Sequence, residues 1–148
     1  MQEALKRAVS ALRRKERSVS ELDEWLAGRG VGSDERQATI DHLLSVGELN
    51  DERFARRFTE DKRELSGWGV ERIRGSLRAR GIDADTVESA LAEDGEEEEL
   101  ARATASLRRR DTTLGDDQAR ARALAYLARR GYASEIAQSA IRRLDRAA

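Results

Sequence analysis

Apolar residues recur along this chain at intervals of three and four positions, which is the spacing of one face of an α-helix. A six-residue phrase, made of a leucine, three further residues, a glycine and an apolar residue, ends three of the predicted helices. The phrase occupies residues 26–31, 77–82 and 127–132. Its glycines are 51 and 50 positions apart. A period near 50 residues predicts a single helical unit that is built three times.

Each copy predicts the same order of elements: a helix, a turn, a second helix that ends at the glycine, and a third helix. The glycine is expected to take the left-handed conformation that ends a helix, because it has no Cβ to resist it. These glycines are Gly30, Gly81 and Gly131. An aliphatic residue stands ten positions after each one, at Ile40, Leu91 and Ile141. This agreement supports the repeat independently of the phrase that revealed it.

The sequence therefore predicts an all-α fold of three tandem three-helix repeats in an elongated, curved array. The predicted repeats span residues 1–47, 48–94 and 95–148. The third helix of the first repeat is expected to bury Leu44 beside Leu43. The first helix of the second repeat is expected to be capped by Asp51 and to bury Leu65 near its end.

Charged residues make up 39% of the chain, yet the net charge is only −1. The predicted repeats carry 8 basic and 8 acidic groups, 9 and 12, and 11 and 9, so their net charges are 0, −3 and +2. A protein that holds nucleic acid by itself usually has a strong basic excess. The charge balance therefore argues against bare nucleic acid as the main partner.

Several classes of function find no support in the residues. The chain has no cysteine, which excludes disulfides, thiolate metal sites and cysteine nucleophiles. Its one histidine, His42, cannot form a metal site without further ligands, and no phosphate loop or nucleophile motif occurs. The longest apolar run, residues 123–128, is too short to cross a bilayer, and no signal-peptide pattern is present. We expect a cytoplasmic protein that is not an enzyme, needs no cofactor or metal and does not contact a membrane.

Two segments of the second repeat are more specific than helix patterning. Residues 47–55 read GELNDERFA, and residues 67–82 read GWGVERIRGSLRARGI. Both resemble the hallmark segments of the RecX family of bacterial recombination regulators, and the resemblance covers essentially the whole chain, since RecX proteins are also three tandem three-helix units. Val70 stands where the family usually has proline, and Glu48 where it has an aromatic residue. The missing proline weakens only the start of a helix.

The resemblance implies a function in DNA repair, DNA recombination and the SOS response. RecX proteins bind the filament of the RecA recombinase on DNA and modulate its activity, usually as inhibitors. The implied partner is the RecA filament, reached by protein–protein interaction, with single-stranded DNA inside the filament as a further candidate, and a monomer is expected. The alternative is a helix-turn-helix-like module that binds nucleic acid directly, because three-helix units resemble such domains.

The candidate contact residues lie in and around the second helix of the second repeat. They are Arg72, Arg74, Arg78 and Arg80 on that helix, Arg57 on the helix before it, and Trp68 in the turn between the two. Arginine suits carboxylate and phosphate partners equally. The alternative is that these arginines pair with acids of the same chain, such as Glu71, and that Trp68 holds the turn against the helix instead of stacking on a partner.

Overall fold

A computed structural model describes residues 2–147 of the chain. Within that range it contains nine α-helices and no strand, which confirms the predicted all-α class. The helices are α1 (Gln2–Arg14), α2 (Val19–Gly28), α3 (Ser33–Ser45), α4 (Asp51–Leu65), α5 (Val70–Ala79), α6 (Ala84–Leu91), α7 (Glu96–Arg109), α8 (Asp117–Arg130) and α9 (Ser134–Ala147). No helix among the described residues is long and apolar enough to span a membrane.

The buried apolar side chains form three clusters, one for each successive group of three helices. Leu22, Leu26, Ile40, Leu43 and Leu49 belong to the first unit, α1–α3. The middle unit, α4–α6, buries Phe54, Ile73, Leu77, Val87 and Leu91. In the last unit, α7–α9, the cluster includes Leu107, Leu127, Tyr132 and Ile141. Leu49 thus packs with the first unit, although it lies two positions beyond the predicted repeat boundary at residue 47.

The repeated phrase is a helix-ending motif. Gly30, Gly81 and Gly131 have φ angles of 80°, 84° and 98°, as their sequence context predicts. The N–H of the apolar residue that follows each glycine donates to the carbonyl of the leucine: Val31 to Leu26 at 3.2 Å, Ile82 to Leu77 at 3.2 Å, and Tyr132 to Leu127 at 3.0 Å. This bond closes a Schellman turn, which explains the fixed spacing of leucine, glycine and apolar residue.

Two apolar residues that the pattern places inside are exposed. Leu65 is 82% exposed and Leu44 is 43% exposed, so both predictions are wrong. The inward face of α4 runs through Phe54 and Thr59 and ends at Arg63, whose guanidinium donates to the carbonyl of Leu91 at 3.1 Å. Leu65 follows Arg63 by two positions, which is about 200° around the helix.

The predicted cap of α4 is also corrected. The Asn50 side chain accepts the N–H of Arg53 at 2.9 Å and caps the helix. Asp51 instead reaches the first unit, where its carboxylate accepts the N–H of Val19 at 2.8 Å. The side chain that sequence reasoning assigned to its own helix therefore links two units.

Neighbouring units meet end to end through their second helices. The Ser18 hydroxyl, at the start of α2, donates to the carbonyl of Arg80 at the end of α5 over 2.7 Å. The start of α5 repeats the arrangement against the end of α8: the N–H of Gly69 donates to the carbonyl of Arg130 at 2.8 Å. Each positive helix N-terminus thus meets a negative C-terminus, which stabilises the junction.

Candidate partner interface

The helix α5 carries most of the predicted contact residues. Ile73 and Leu77 are fully buried and fix which face of the helix is turned inward. The backbone of Gly69 leads into the helix, and its end at Arg80 is held by the junction with the first unit. The arginines of α5 therefore project from a helix whose rotation and both ends are fixed by packing.

Arg74 is neutralised inside the middle unit. Its guanidinium binds both carboxylate oxygens of Glu88, at 2.8 and 3.0 Å, and one oxygen of Glu71 at 2.7 Å. The hydrogen bond to Glu88 is the main reason that the pKa of Arg74 is raised, and the same bond lowers the pKa of Glu88. Arg74 is committed to joining α5 to α6, as the alternative interpretation of the arginines expects.

Arg80 contacts the first unit. Its guanidinium binds Glu21 at 3.0 Å and lies 5.1 Å from the centre of the Phe58 ring. Its carbonyl accepts the Ser18 hydroxyl. Arg80 therefore belongs to the junction between the first and middle units.

Trp68 and Arg72 form one half-exposed group at the start of α5. The guanidinium carbon of Arg72 lies 4.0 Å from the centre of the Trp68 ring, and the Lys62 ammonium lies 4.6 Å from it. The ring also packs edge-on against Phe58, at 6.2 Å between centroids. Arg72 donates weakly to the carbonyl of Arg129 at 3.4 Å. Trp68 thus holds the turn against α4 while both cations remain close to its surface.

Arg78 and Arg57 complete the predicted set. Arg78 is exposed, and within residues 2–147 its side chain makes no hydrogen bond or ion pair. It adds a coulombic contribution to the low pKa of Glu88, which arises first from Arg74. Arg57 is 62% exposed and lies 3.8 Å from Glu16 of the first unit. The structure therefore does not gather the six predicted residues into one cluster. Within residues 2–147, Arg72 and Arg78 are the candidate arginines of α5 that bind no carboxylate, and Arg78 also makes no contact with an aromatic ring.

Sequence reasoning missed the side chains that join the units. Glu99 is buried in α7, and its carboxylate accepts the N–H of Val70 at 2.8 Å, just as Asp51 accepts that of Val19. Burial raises the pKa of Asp51, and the Val19 bond opposes that rise. Glu99 lies in a run of four glutamates in the first turn of α7, where acidic residues are common because they complement the helix dipole. Val19 and Val70 are 51 positions apart, and that period was the signal available.

Comparison with known proteins identifies the family. The family model described as RecX, second three-helix domain, matches residues 50–91, and the model of the third three-helix domain of RecX matches residues 96–141. A regulatory protein RecX from Mycobacterium ulcerans is 35% identical over 127 residues, which cover 82% of this chain and 72% of the relative. The chain belongs to the RecX family.

Further RecX proteins support this assignment. The regulatory protein RecX of Xanthomonas axonopodis pv. citri is 36% identical over 144 residues, covering 95% of this chain and 87% of the relative. The crystal structure of RecX from Lactobacillus salivarius has a TM-score of 0.87 and 19% identity, covering 97% of this chain and 96% of that one. A second crystal structure of a regulatory protein RecX has a TM-score of 0.79 and 18% identity, with coverages of 93% and 69%. The two structures show that the fold is shared.

The exposed side chains of α5 and the turn before it are of types that bind other molecules. Guanidinium groups and a half-exposed indole ring recognise carboxylates, phosphates and flat surfaces by contact. Within residues 2–147, no group of three or more His, Asp or Glu side chains is placed to hold a metal ion. The exposed face of α5 is the candidate interface of this RecX protein.

Proposed function

We propose that this protein binds the RecA filament on DNA and inhibits RecA's recombinase and ATPase activities, without catalytic activity of its own. Membership of the RecX family, whose relatives are regulatory proteins, carries the proposal. In the proposed setting the chain acts as a monomer in the cytoplasm during DNA repair, recombination and the SOS response.

The contact with RecA is proposed to include the exposed face of α5. Arg78 supports it because this exposed cation makes no hydrogen bond or ion pair within residues 2–147, and such a guanidinium can bind a carboxylate of another protein without first breaking an ion pair. A protein partner fits better than naked nucleic acid, since the chain has a net charge of −1. Many phosphate contacts would require a clear basic excess.

The test is a titration of this protein into RecA assembled on single-stranded DNA. We expect ATP hydrolysis and strand exchange to slow as the protein approaches the RecA concentration. DNA without RecA should be bound weakly. Normal hydrolysis and strand exchange at stoichiometric protein would contradict the proposal, and tight, salt-sensitive binding to DNA alone would favour the direct nucleic-acid module instead.

A charge reversal tests the place of contact. Arg78→Glu should weaken inhibition because it replaces the available cation with an acid. The matched control is Arg13→Glu: Arg13 is also exposed, lies in the last turn of its helix and makes no ion pair within residues 2–147. Arg74 is unsuitable for this test, because its removal would break the bond to Glu88. Equal inhibition by the Arg78 variant and the wild type would move the contact away from this face.

A further inference from the structure

Gly75 lies in the middle of α5 on its exposed side. Its backbone is helical, and a Cβ added to it would meet no atom of the described residues within 4 Å. Glycine inside a helix is less stable than alanine, since it loses more freedom on folding. Alanine at this position would therefore make the isolated protein more stable than glycine does.

The glycines around Gly75 have structural reasons that Gly75 lacks. A Cβ on Gly69 would stand 2.5 Å from the carbonyl carbon of Gly131, and one on Gly131 would stand 2.3 Å from the Cβ of Arg72. Gly81 has a positive φ of 84° and lies against Ser20. Neither a close approach by residues 2–147 nor a left-handed backbone accounts for Gly75, so its missing side chain leaves helix backbone exposed.

Two cations flank this bare backbone. Arg72 precedes Gly75 by three positions and Arg78 follows it by three, which is a rise of about 4.5 Å along the helix on each side. Both arginines are exposed, and neither binds a carboxylate within residues 2–147. Arg74, which lies beside Gly75, is neutralised by Glu71 and Glu88. The two guanidinium groups that bind no carboxylate therefore lie on either side of the exposed helix backbone at Gly75.

We propose that Gly75 is a contact point at which an acidic segment of the RecA protein packs its backbone directly on α5, with its carboxylates bound by Arg72 and Arg78. This inference rests on the proposed function and names the surface that performs it. Charge complementarity selects a protein segment: two separated cations match two carboxylates. A continuous phosphate backbone calls for a row of cations, whereas residues 48–94 carry a net charge of −3.

Replacing Gly75 by residues of increasing size distinguishes a role in partner contact from a role in folding. In Gly75→Ala and Gly75→Leu, the urea midpoint of unfolding should stay equal or rise, because both residues favour helix. Affinity for RecA assembled on single-stranded DNA with a slowly hydrolysed ATP analogue should fall with size, by about tenfold or more for leucine. A role in folding alone predicts that stability and affinity change together.

The matched control is Gly28, the last residue of α2. A Cβ there also meets no atom of residues 2–147 within 4 Å, and the backbone is not left-handed. Gly28→Ala and Gly28→Leu should bind the filament like the wild type. Wild-type affinity in both Gly75 variants would overturn the inference but leave the proposed function standing. A fall in stability for Gly75→Ala would also overturn it, since the fold itself would then need glycine.

Binding measurements without RecA distinguish a RecA segment from DNA as the molecule that packs on Gly75. The same Gly75 variants are tested for binding to free single-stranded DNA. Unchanged, weak binding is expected. An equal loss of affinity for free DNA would make DNA the occupant and overturn the protein contact, whereas a wild-type protein with no effect on RecA would refute the proposed function itself.

Discussion

At the scale of single residues, two glycines with the same backbone conformation have different neighbours. Gly30 and Gly131 both end a helix with a positive φ. Within the part of the chain that the structure describes, a Cβ on Gly30 would meet no atom within 4 Å, whereas one on Gly131 would lie 2.3 Å from the Cβ of Arg72 in the preceding unit. The first glycine is needed for its backbone alone, and the second also for the contact between units.

This difference predicts unequal costs of alanine. Gly30→Ala should lower the free energy of unfolding by about 1–2 kcal/mol through left-handed strain. Gly131→Ala should lose about 1–3 kcal/mol more, because the new Cβ must push the middle and last units apart. Urea unfolding followed by circular dichroism measures both. Equal losses of free energy in the two variants would mean that the junction accommodates the new Cβ without losing stability.

The conformation of these glycines could be predicted from the local sequence, but the partners of the nearby arginines could not. The positive φ follows from six residues of sequence through the Schellman hydrogen bonds. Glu71, three positions from Arg74, is a partner that the sequence indicated, but the pairing of Arg74 with Glu88 and of Arg80 with Glu21 joins residues 14 and 59 positions apart. No local pattern connects residues at such distances, so the alternatives of internal pairing and external contact stayed open for the arginines.

At the scale of elements, ion pairs and buried carboxylates give the helices opposite responses to pH. Glu88 joins α6 to Arg74 of α5, and this hydrogen bond lowers its pKa below the usual 4.5. Its stabilising contribution is therefore full above pH 4.5 and is lost as the pH falls through the lowered value. Asp51 behaves in the opposite way, because burial raises its pKa above the usual 3.8, so protonation on acidification favours the folded state.

Carboxyl-carbon NMR titration of the folded protein checks these directions. Asp51 should titrate above 3.8 and Glu88 below 4.5. In Arg74→Gln, the pKa of Glu88 should move back up toward its usual value, while that of Asp51 should not change. A Glu88 titration that is the same in the variant would show that Arg74 does not bind it in solution.

The helices themselves were largely predictable, and the errors have a common cause. Apolar spacing located the buried faces through residues such as Ile73 and Leu77. It failed at Leu65 because Arg63 occupies the inward position near the end of α4, where its guanidinium lies 3.6 Å from Asp94 and donates to the Leu91 carbonyl. A hydropathy pattern places arginine outside, so it does not predict a buried guanidinium whose partners lie at the end of another helix and in the segment that follows it.

At the scale of the whole molecule, the junctions decide how the units are held. Between the middle and last units, the N–H groups of Gly69 and Glu71 donate to the carbonyls of Arg130 and Gly131, at 2.8 and 2.9 Å. The buried Tyr132 hydroxyl donates to the carbonyl of Gly67 at 2.9 Å. Two of these bonds connect backbone to backbone and the third connects a buried side chain to backbone, so the junction holds one defined geometry.

Removing one of these bonds should loosen one junction only. In Tyr132→Phe, native-state hydrogen exchange at the amides of Gly69 and Glu71 should accelerate by about three- to tenfold, which corresponds to the loss of one hydrogen bond. The amide of Val19, which donates to Asp51 at the other junction, is the internal control and should not change. Equal acceleration at all three amides would indicate global destabilisation instead.

The sequence by itself determined the all-α class, the threefold repeat, the helix-ending glycines and the resemblance to RecX, because these depend on short-range spacing and backbone preference. The division after residues 47 and 94 stays a prediction. Only the tertiary structure decided which charges are used: Arg74 and Arg80 are bound internally, whereas Arg78 remains available. The reason is physical: electrostatic pairing acts through space between residues far apart in the chain, whereas helix patterning acts along it.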